Sequence, residues 1–293
     1  CCTGLRHIEI PDGVTHIWDC AFLQCQNLQS VQLPRALRYI APFAFSNCKA
    51  LTSITIPEHV EKIAGTAFRR CYALKEMAVD KRNKVFDSRD DCNAIIVTRT
   101  NTLHLGCSGS VIPQSVRMIG KNAFYQCKTL TSIEIPDSVV RIKQGAFSWC
   151  ENLTSVRLPK GLKYIETDAF WMCKKLASVT FPATLVSIRK CAFQGCSSIT
   201  SVVIPKNVKR LHYTTFQWCE QMAELRVEPG NQRYDSRDEC NAIIDSKTQT
   251  LVTGCMNSTI PAGVLHIGGW AFSGCKNIRA ITTDALTSYC LLE

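Results

Sequence analysis

The sequence predicts a mainly β repeat solenoid, an elongated stack of coils each made from a unit of 23 residues. Three observations predict it. Prolines keep a fixed phase: Pro11, Pro34 and Pro57 are 23 apart, and so are Pro113, Pro136, Pro159, Pro182 and Pro205. Nine of the 12 phenylalanines fall at one position of the unit: Phe22, Phe45, Phe68, Phe124, Phe147, Phe170, Phe193, Phe216 and Phe272. Each is followed three residues later by a cysteine, from Cys25 to Cys275, which accounts for nine of the 18 cysteines. Units this short have too few residues to enclose their own apolar face, so they must stack.

Taken in order, the unit reads Leu-x-x-Ile-x-Ile-Pro-x-x-Val-x-x-Ile-x-x-x-Ala-Phe-x-x-Cys, as in Leu51 to Cys71 or Leu130 to Cys150. The alternation Leu-x-x-Ile-x-Ile is that of a short strand, and the proline ends it because it has no N–H for the next ladder. Val-x-x-Ile turns a second apolar edge inward, and Ala-Phe supplies one small and one large interior side chain. Stacking at about 4.8 Å per coil would set like positions in ladders along the array. The ladder cysteines then read as buried small hydrophobes. Parallel side chains on neighbouring coils do not present disulfide geometry.

Composition excludes other classes. The 293 residues are 46% hydrophobic and 20% charged, too apolar for a disordered chain. Glycine and proline (15 plus 11, or 26) are too few for a collagen-like or linker-like one. No apolar run approaches the ~18–20 residues of a membrane-spanning helix. Residues Cys1 to Arg6 hold no basic-then-apolar export pattern. Thirty-four Lys and Arg against 24 Asp and Glu give a net charge of +10, which favours anionic partners if the charge is clustered.

The gaps Pro57–Pro113 and Pro205–Pro261 are each 56, one repeat plus 33 residues. The extra residues, about 80–112 and 228–260, are copies of one another: Phe86 to Ile96 matches Tyr234 to Ile244. Each continues through a polar turn (Thr98 to Thr102; Ser246 to Thr250) into Leu103 or Leu251 and a Gly-Cys at 106–107 or 254–255. Two apolar runs around a polar turn predict a hairpin. Asp87, Asp90, Asp91 and Asn93, with Asp235, Asp238, Glu239 and Asn241, offer oxygen ligands to calcium but lack EF-hand spacing. The competing reading is a solvated turn with aspartates capping backbone amides. Cys92/Cys107 and Cys240/Cys255 share a spacing of 15, so a disulfide in each hairpin is open if the protein is exported.

Both ends break the phase. Cys2 and Leu5 lie 23 before Cys25 and Leu28, and after Ile281 the expected Ile-Pro becomes Thr283-Asp284. The expectation is a single solenoid over 1–293 that starts mid-repeat, a fragment of a longer protein, with a divergent tail at 282–293.

The phrase Leu-x-x-Ile-x-Ile-Pro with Ala-Phe-x-x-Cys, for example Leu153 to Cys173, resembles the BspA-like, or treponemal-type, leucine-rich repeat family over roughly residues 2 to 281. The resemblance implies a curved leucine-rich-repeat array of 23-residue units with two hairpin-like insertions, on a cell surface or secreted. It also implies adhesion to host matrix proteins, host cells or other microbes, and the family has no catalytic residues to transfer. It gives a class of function and not a partner.

No chemistry competes with that reading. His-Glu-x-x-His, Gly-x-Ser-x-Gly, P-loop and Gly-x-Gly-x-x-Gly motifs are missing from the sequence. Cys20/Cys25 and Cys191/Cys196 repeat one spacing but do not make four convergent zinc ligands. Asn152-Leu153-Thr154 and Asn257-Ser258-Thr259 fit the glycosylation triplet, the first inside the repeat phrase itself. The expectation is no enzyme, no metal and no cofactor.

Two surfaces are candidates for binding. Four and five residues after each proline lie outward positions rich in cations, which would stack into a basic ridge: Arg38, Tyr39, Lys62, Arg117, Arg141, Lys163, Tyr164, Lys209 and Arg210. Seven of the 18 positions in these columns are Lys or Arg; the other eleven include His16, Ser187 and His266. Such a ridge suits sulfated glycans, acidic proteins or phosphates; the plain alternative is a solvated edge that discourages aggregation. The second surface is the outward column of the first strand, with Gln32, Thr55, Glu134, Arg157, Thr180 and Arg226 beside a serine ladder. Its mixed chemistry suits a protein ligand, and its lack of aromatic platforms argues against nucleic acid. Three functions follow: a surface scaffold binding host or microbial proteins, a polyanion binder using the ridge, or a structural spacer.

Overall fold

The computed structural model describes residues 2–276 and 278; the tail expected at 282–293 lies outside them. Most coils carry two short strands joined by the proline turn. Parallel neighbours are in register at 23 residues: Ile8 faces Val31, Ile133 faces Val156, and Ile142 faces Ile165. The chain is the mainly β solenoid that the proline phase predicts.

First strands pair two by two, His7–Glu9 with Ser30–Gln32, Ser53–Ile56 with Glu76–Val79, Ser132–Glu134 with Ser155–Arg157, and Ser201–Ile204 with Glu224–Val227. Thr180 departs from the expectation, since residues 177–180 form no strand. Phe181 there fills the corner that Ile135 and Leu158 fill in the two preceding coils, packing edge-on to Phe193 at 5.5 Å. The bulkier ring accompanies the lost ladder.

Second strands run further. His16–Ile17, Tyr39–Ile40 and Lys62–Ile63 form one sheet. A longer sheet continues through Met118–Ile119, Arg141–Ile142, Tyr164–Ile165, Ser187–Ile188 and Arg210–Leu211. Behind them the phenylalanines stack as parallel rings, 5.0 Å apart for Phe124 and Phe147 and 5.1 Å for the next two pairs. The residue before each ladder cysteine has positive φ, at Gln126, Trp149 and Met172 alike, which closes the Ala-Phe turn tightly.

The ladder thiols have a specific partner. Cys150, Cys173 and Cys196 donate to the carbonyls of Phe124, Phe147 and Phe170, each at 3.1 Å. Burial pushes the Cys48 thiol up to about 12, and all the described cysteines are free.

Each insertion is a hairpin spliced into the second-strand sheet. Ala94–Val97 pairs antiparallel with Phe86–Asp87 and with Thr102–Gly106, and the last of these pairs parallel with Met118–Ile119. The copy repeats this with Tyr234–Asp235, Ile243–Asp245, Thr250–Thr253 and His266–Ile267. The hairpin has two apolar faces: Ile95 and Leu105 join the N-terminal core, while Ala94, Ile96 and Leu103 join the central one. Alternation separates Ile95 from its neighbours, and a register shift separates Leu103 from Leu105. At Gly106 an added Cβ would lie 2.2 Å from the Phe124 ring, so glycine lets the hairpin fit against the ring stack.

The hairpin chemistry is internal. Cys92 and Cys107 are free, their thiols directed to the carbonyls of Ala94 and Asn93, and Cys240 and Cys255 repeat this with Ala242 and Asn241. The Asp87 carboxylate is held by Arg89 and by the Thr98 hydroxyl. Burial raises its pKa, but these bonds outweigh burial and leave it below the ordinary value.

Candidate ligand-binding face

The ridge is built by backbone bonds between coils. Val140 N–H donates to Arg117 O at 3.0 Å, then Lys163 to Val140, Val186 to Lys163 and Lys209 to Val186, each at 2.9 Å. Arg117, Lys163 and Lys209 are therefore fixed on alternate coils and exposed, with half-buried Val140 and Val186 between them. The neighbouring column runs Met118, Arg141, Tyr164, Ser187 and Arg210 in strict register. Ser187 departs from the outward expectation, being only 4% exposed: a short side chain between Tyr164 and Arg210 is covered by its neighbours.

The structure divides the ridge cations into two sets. Arg38 pairs with Glu61 at 2.6 Å, and Arg141 pairs with Glu166 at 2.7 Å and lies 4.3 Å from the Tyr164 ring centre. Lys62 lies 5.2 Å from the Tyr39 ring centre. Arg117, Lys163, Lys209 and Arg210 make no ion pair among the described residues. Sequence reasoning missed Trp18, 64% exposed, which stacks on His16 at 5.2 Å and meets Tyr39 edge-on at 5.9 Å. Its signal was the smaller Ala41, Ala64 and Gly120 at the same repeat position.

The first-strand face is electrically balanced. Gln32, Thr55, Glu134, Thr180 and Arg226 are exposed, but Arg157 bonds Glu134 at 3.1 Å across the strands and Arg226 bonds Glu224 at 2.6 Å. The ridge and this face belong to different strands of the coil. Among the described residues no three or more potential metal ligands converge, and no helix is long and apolar enough to cross a membrane.

This geometry, two strands per 23-residue coil with phenylalanine and cysteine ladders, is matched by the family model of the BspA type leucine rich repeat region over residues 1–92, 106–223 and 247–290, in six copies. The chain belongs to that family. Among solved structures, the BspA-type chain is similar to a leucine rich cell surface protein of Faecalibacterium prausnitzii, at 29% identity with a TM-score of 0.65. That likeness covers 80% of this chain and 61% of the other, so the chain spans about three fifths of the longer protein. It shares the fold of the pneumococcal vaccine antigen PcpA, with a TM-score of 0.66 at 18% identity over 96% of this chain and 68% of that one. No protein of curated function matches it.

Proposed function

We propose that the chain is a non-enzymatic scaffold of the surface-adhesion type, holding a protein ligand such as a host matrix or microbial surface protein along its ridge. The observation that supports this most is the column Arg117–Val140–Lys163–Val186–Lys209, in which unpaired cations alternate with apolar side chains. Two coil spacings separate successive cations by about 10 Å. An acidic segment lying along the column meets a positive charge at each interval and covers a valine between them. The Faecalibacterium protein's cell-surface description supports placing this relative on a surface or in secretion.

The test is surface plasmon resonance of the chain against a panel of host matrix proteins, with an Arg117→Glu/Lys163→Glu/Lys209→Glu variant alongside. At least one protein should bind, and the variant should weaken it by about tenfold or more, since three close charge contacts are reversed. Equal binding by both chains sinks the ridge and moves the ligand to the balanced strand face. A sulfated-glycan ligand is the second reading, favoured by the same unpaired cations. It expects heparin retention above ~0.15 M salt, lost in the variant. A mere spacer binds neither.

A further inference from the structure

A separate cleft opens on the turn face, after the second strand of each coil. Its volume of about 290 Å³ sits at the lower edge of the ~300–1,000 Å³ typical of small-molecule sites. It forms because the first insertion leaves the turns on either side of it in contact: a Cβ at Gly65 would lie 3.2 Å from Lys121 O, 56 residues on. Phe43 and Tyr125 wall one side, with the Arg69 guanidinium 5.9 and 4.9 Å from their ring centres. Arg69 is held there by its Nε, which donates to Gln126 Oε1 at 2.8 Å. Trp171 walls the other side, edge-on to Trp149 at 5.4 Å.

The floor is made by small residues. Tyr125, Ser148 and Trp171 occupy the same position on three successive coils, 23 residues apart. The measured ring stacking of 5.0–5.1 Å per coil puts the Tyr125 and Trp171 backbones about 10 Å apart. Carbon surfaces in contact need ~3.5–4.0 Å, so that spacing leaves room for one puckered ring between the two side chains at the mouth of the cleft, above Ser148, which is itself 1% exposed. Gly145 keeps the slot open: its φ is +65°, and a Cβ there would come 2.4 Å from Asn122 Oδ1.

The polar groups around this slot are unused. Asp168 is half-buried, and its carboxylate has no hydrogen bond or ion pair among the described residues; burial raises its pKa. The side-chain amides of Asn122 and Gln144 have no partner among them either. Ser148 Oγ is buried and unsatisfied, a condition rare in folded proteins. Aromatic walls with a carboxylate and two amides match a polyol: its C–H faces cover the rings, and its hydroxyls both donate and accept. The cleft lining carries one carboxylate, Asp168, and one guanidinium, Arg69, so its charges are balanced and select a neutral ligand no less than a charged one.

We propose that this cleft is a subsite for one or two residues of a neutral oligosaccharide, stacked between Tyr125 and Trp171 and hydrogen-bonded by Asp168, Asn122 and Gln144. The site is independent of the ridge, so either can fail without the other.

The experiment is saturation-transfer NMR with calorimetry on the full chain. The probes are neutral tri- and tetrasaccharides of glucose, galactose, mannose and N-acetylglucosamine, with sialylated and sulfated counterparts as controls. The expected result is binding of at least one neutral probe, weakened about tenfold or more by Trp171→Ala and by Asp168→Asn and unchanged in the triple ridge variant. Asp168→Asn keeps the side-chain shape, so its loss reads recognition and not folding. The proposal is overturned if no neutral probe binds up to about 10 mM, if both cleft variants bind as the parent does, or if only charged glycans bind and the ridge variant abolishes it.

Discussion

Cysteine reactivity is set by where the repeat puts each thiol. Cys150 and Cys173 are buried and donate to carbonyls one coil back, whereas Cys20 is exposed. Brief alkylation of the native protein should label Cys20 and leave Cys150 and Cys173 intact, read by peptide mass spectrometry. Strong labelling of the ladder thiols would mean the coils are not closed. His104 is a second single-residue case. Its half-buried ring stacks on Phe86, with Nε2–H donating to Ile63 O at 2.8 Å, and desolvation lowers its pKa. The folded chain keeps it neutral, while the unfolded chain takes up a proton below about 6.5. Stability from this group is therefore present above that pH and lost as pH falls toward the folded value. The melting temperature should drop between pH 7.5 and 5, and His104→Gln should shrink the drop.

The hairpin is the element whose fit is least forgiving. Gly106→Ala drives a methyl into the Phe124 ring, which is 1% exposed and has coils on both sides. Overpacking of this kind costs about 1–3 kcal/mol, readable as a lower urea midpoint; an unchanged midpoint would mean the ring stack yields there. Asn83 anchors the hairpin's entry. Its amide donates to Pro57 O and Val60 O, and its oxygen accepts from the Val85 and Phe86 N–H groups. Asn231 repeats the set with Pro205, Val208, Arg233 and Tyr234. Asn83→Ala orphans several buried groups, each costing about 1–3 kcal/mol, and Asn231→Ala should cost a similar amount. The duplication was plain in the sequence, and so was the hairpin. Its two-faced role was not, because alternation shows that both faces are apolar without saying what lies against each.

Stability across the whole molecule depends on unbroken stacking. Phe147 is fully buried between Phe124 and Phe170, while Phe22 ends its stack half-buried. Phe147→Ala should cost about 3–5 kcal/mol and Phe22→Ala clearly less. Equal losses, measured by urea unfolding, would show that the end coils are as tightly packed as the middle. The apolar core itself falls into three blocks that meet at the hairpins. Nearest-neighbour coupling makes those boundaries the places where unfolding divides.

The sequence by itself determined the solenoid, its 23-residue register, both hairpins and the burial of most ladder cysteines, with Cys71, Cys127 and Cys275 half-buried instead. All of these repeat, and a repeated pattern fixes its own ladder once coils stack. It also placed the basic columns, since Arg117, Lys163 and Lys209 share one phase. Only the tertiary structure decided which cations are spent. Glu166 neutralises Arg141 from a different repeat position, and Glu61 reaches Arg38 from the next coil. Likewise the cleft joins Phe43, Tyr125 and Trp171 across an insertion that sequence spacing makes look like a break. Period gives each residue its face of the coil, while pairing depends on side-chain reach and on which coils meet across the splice.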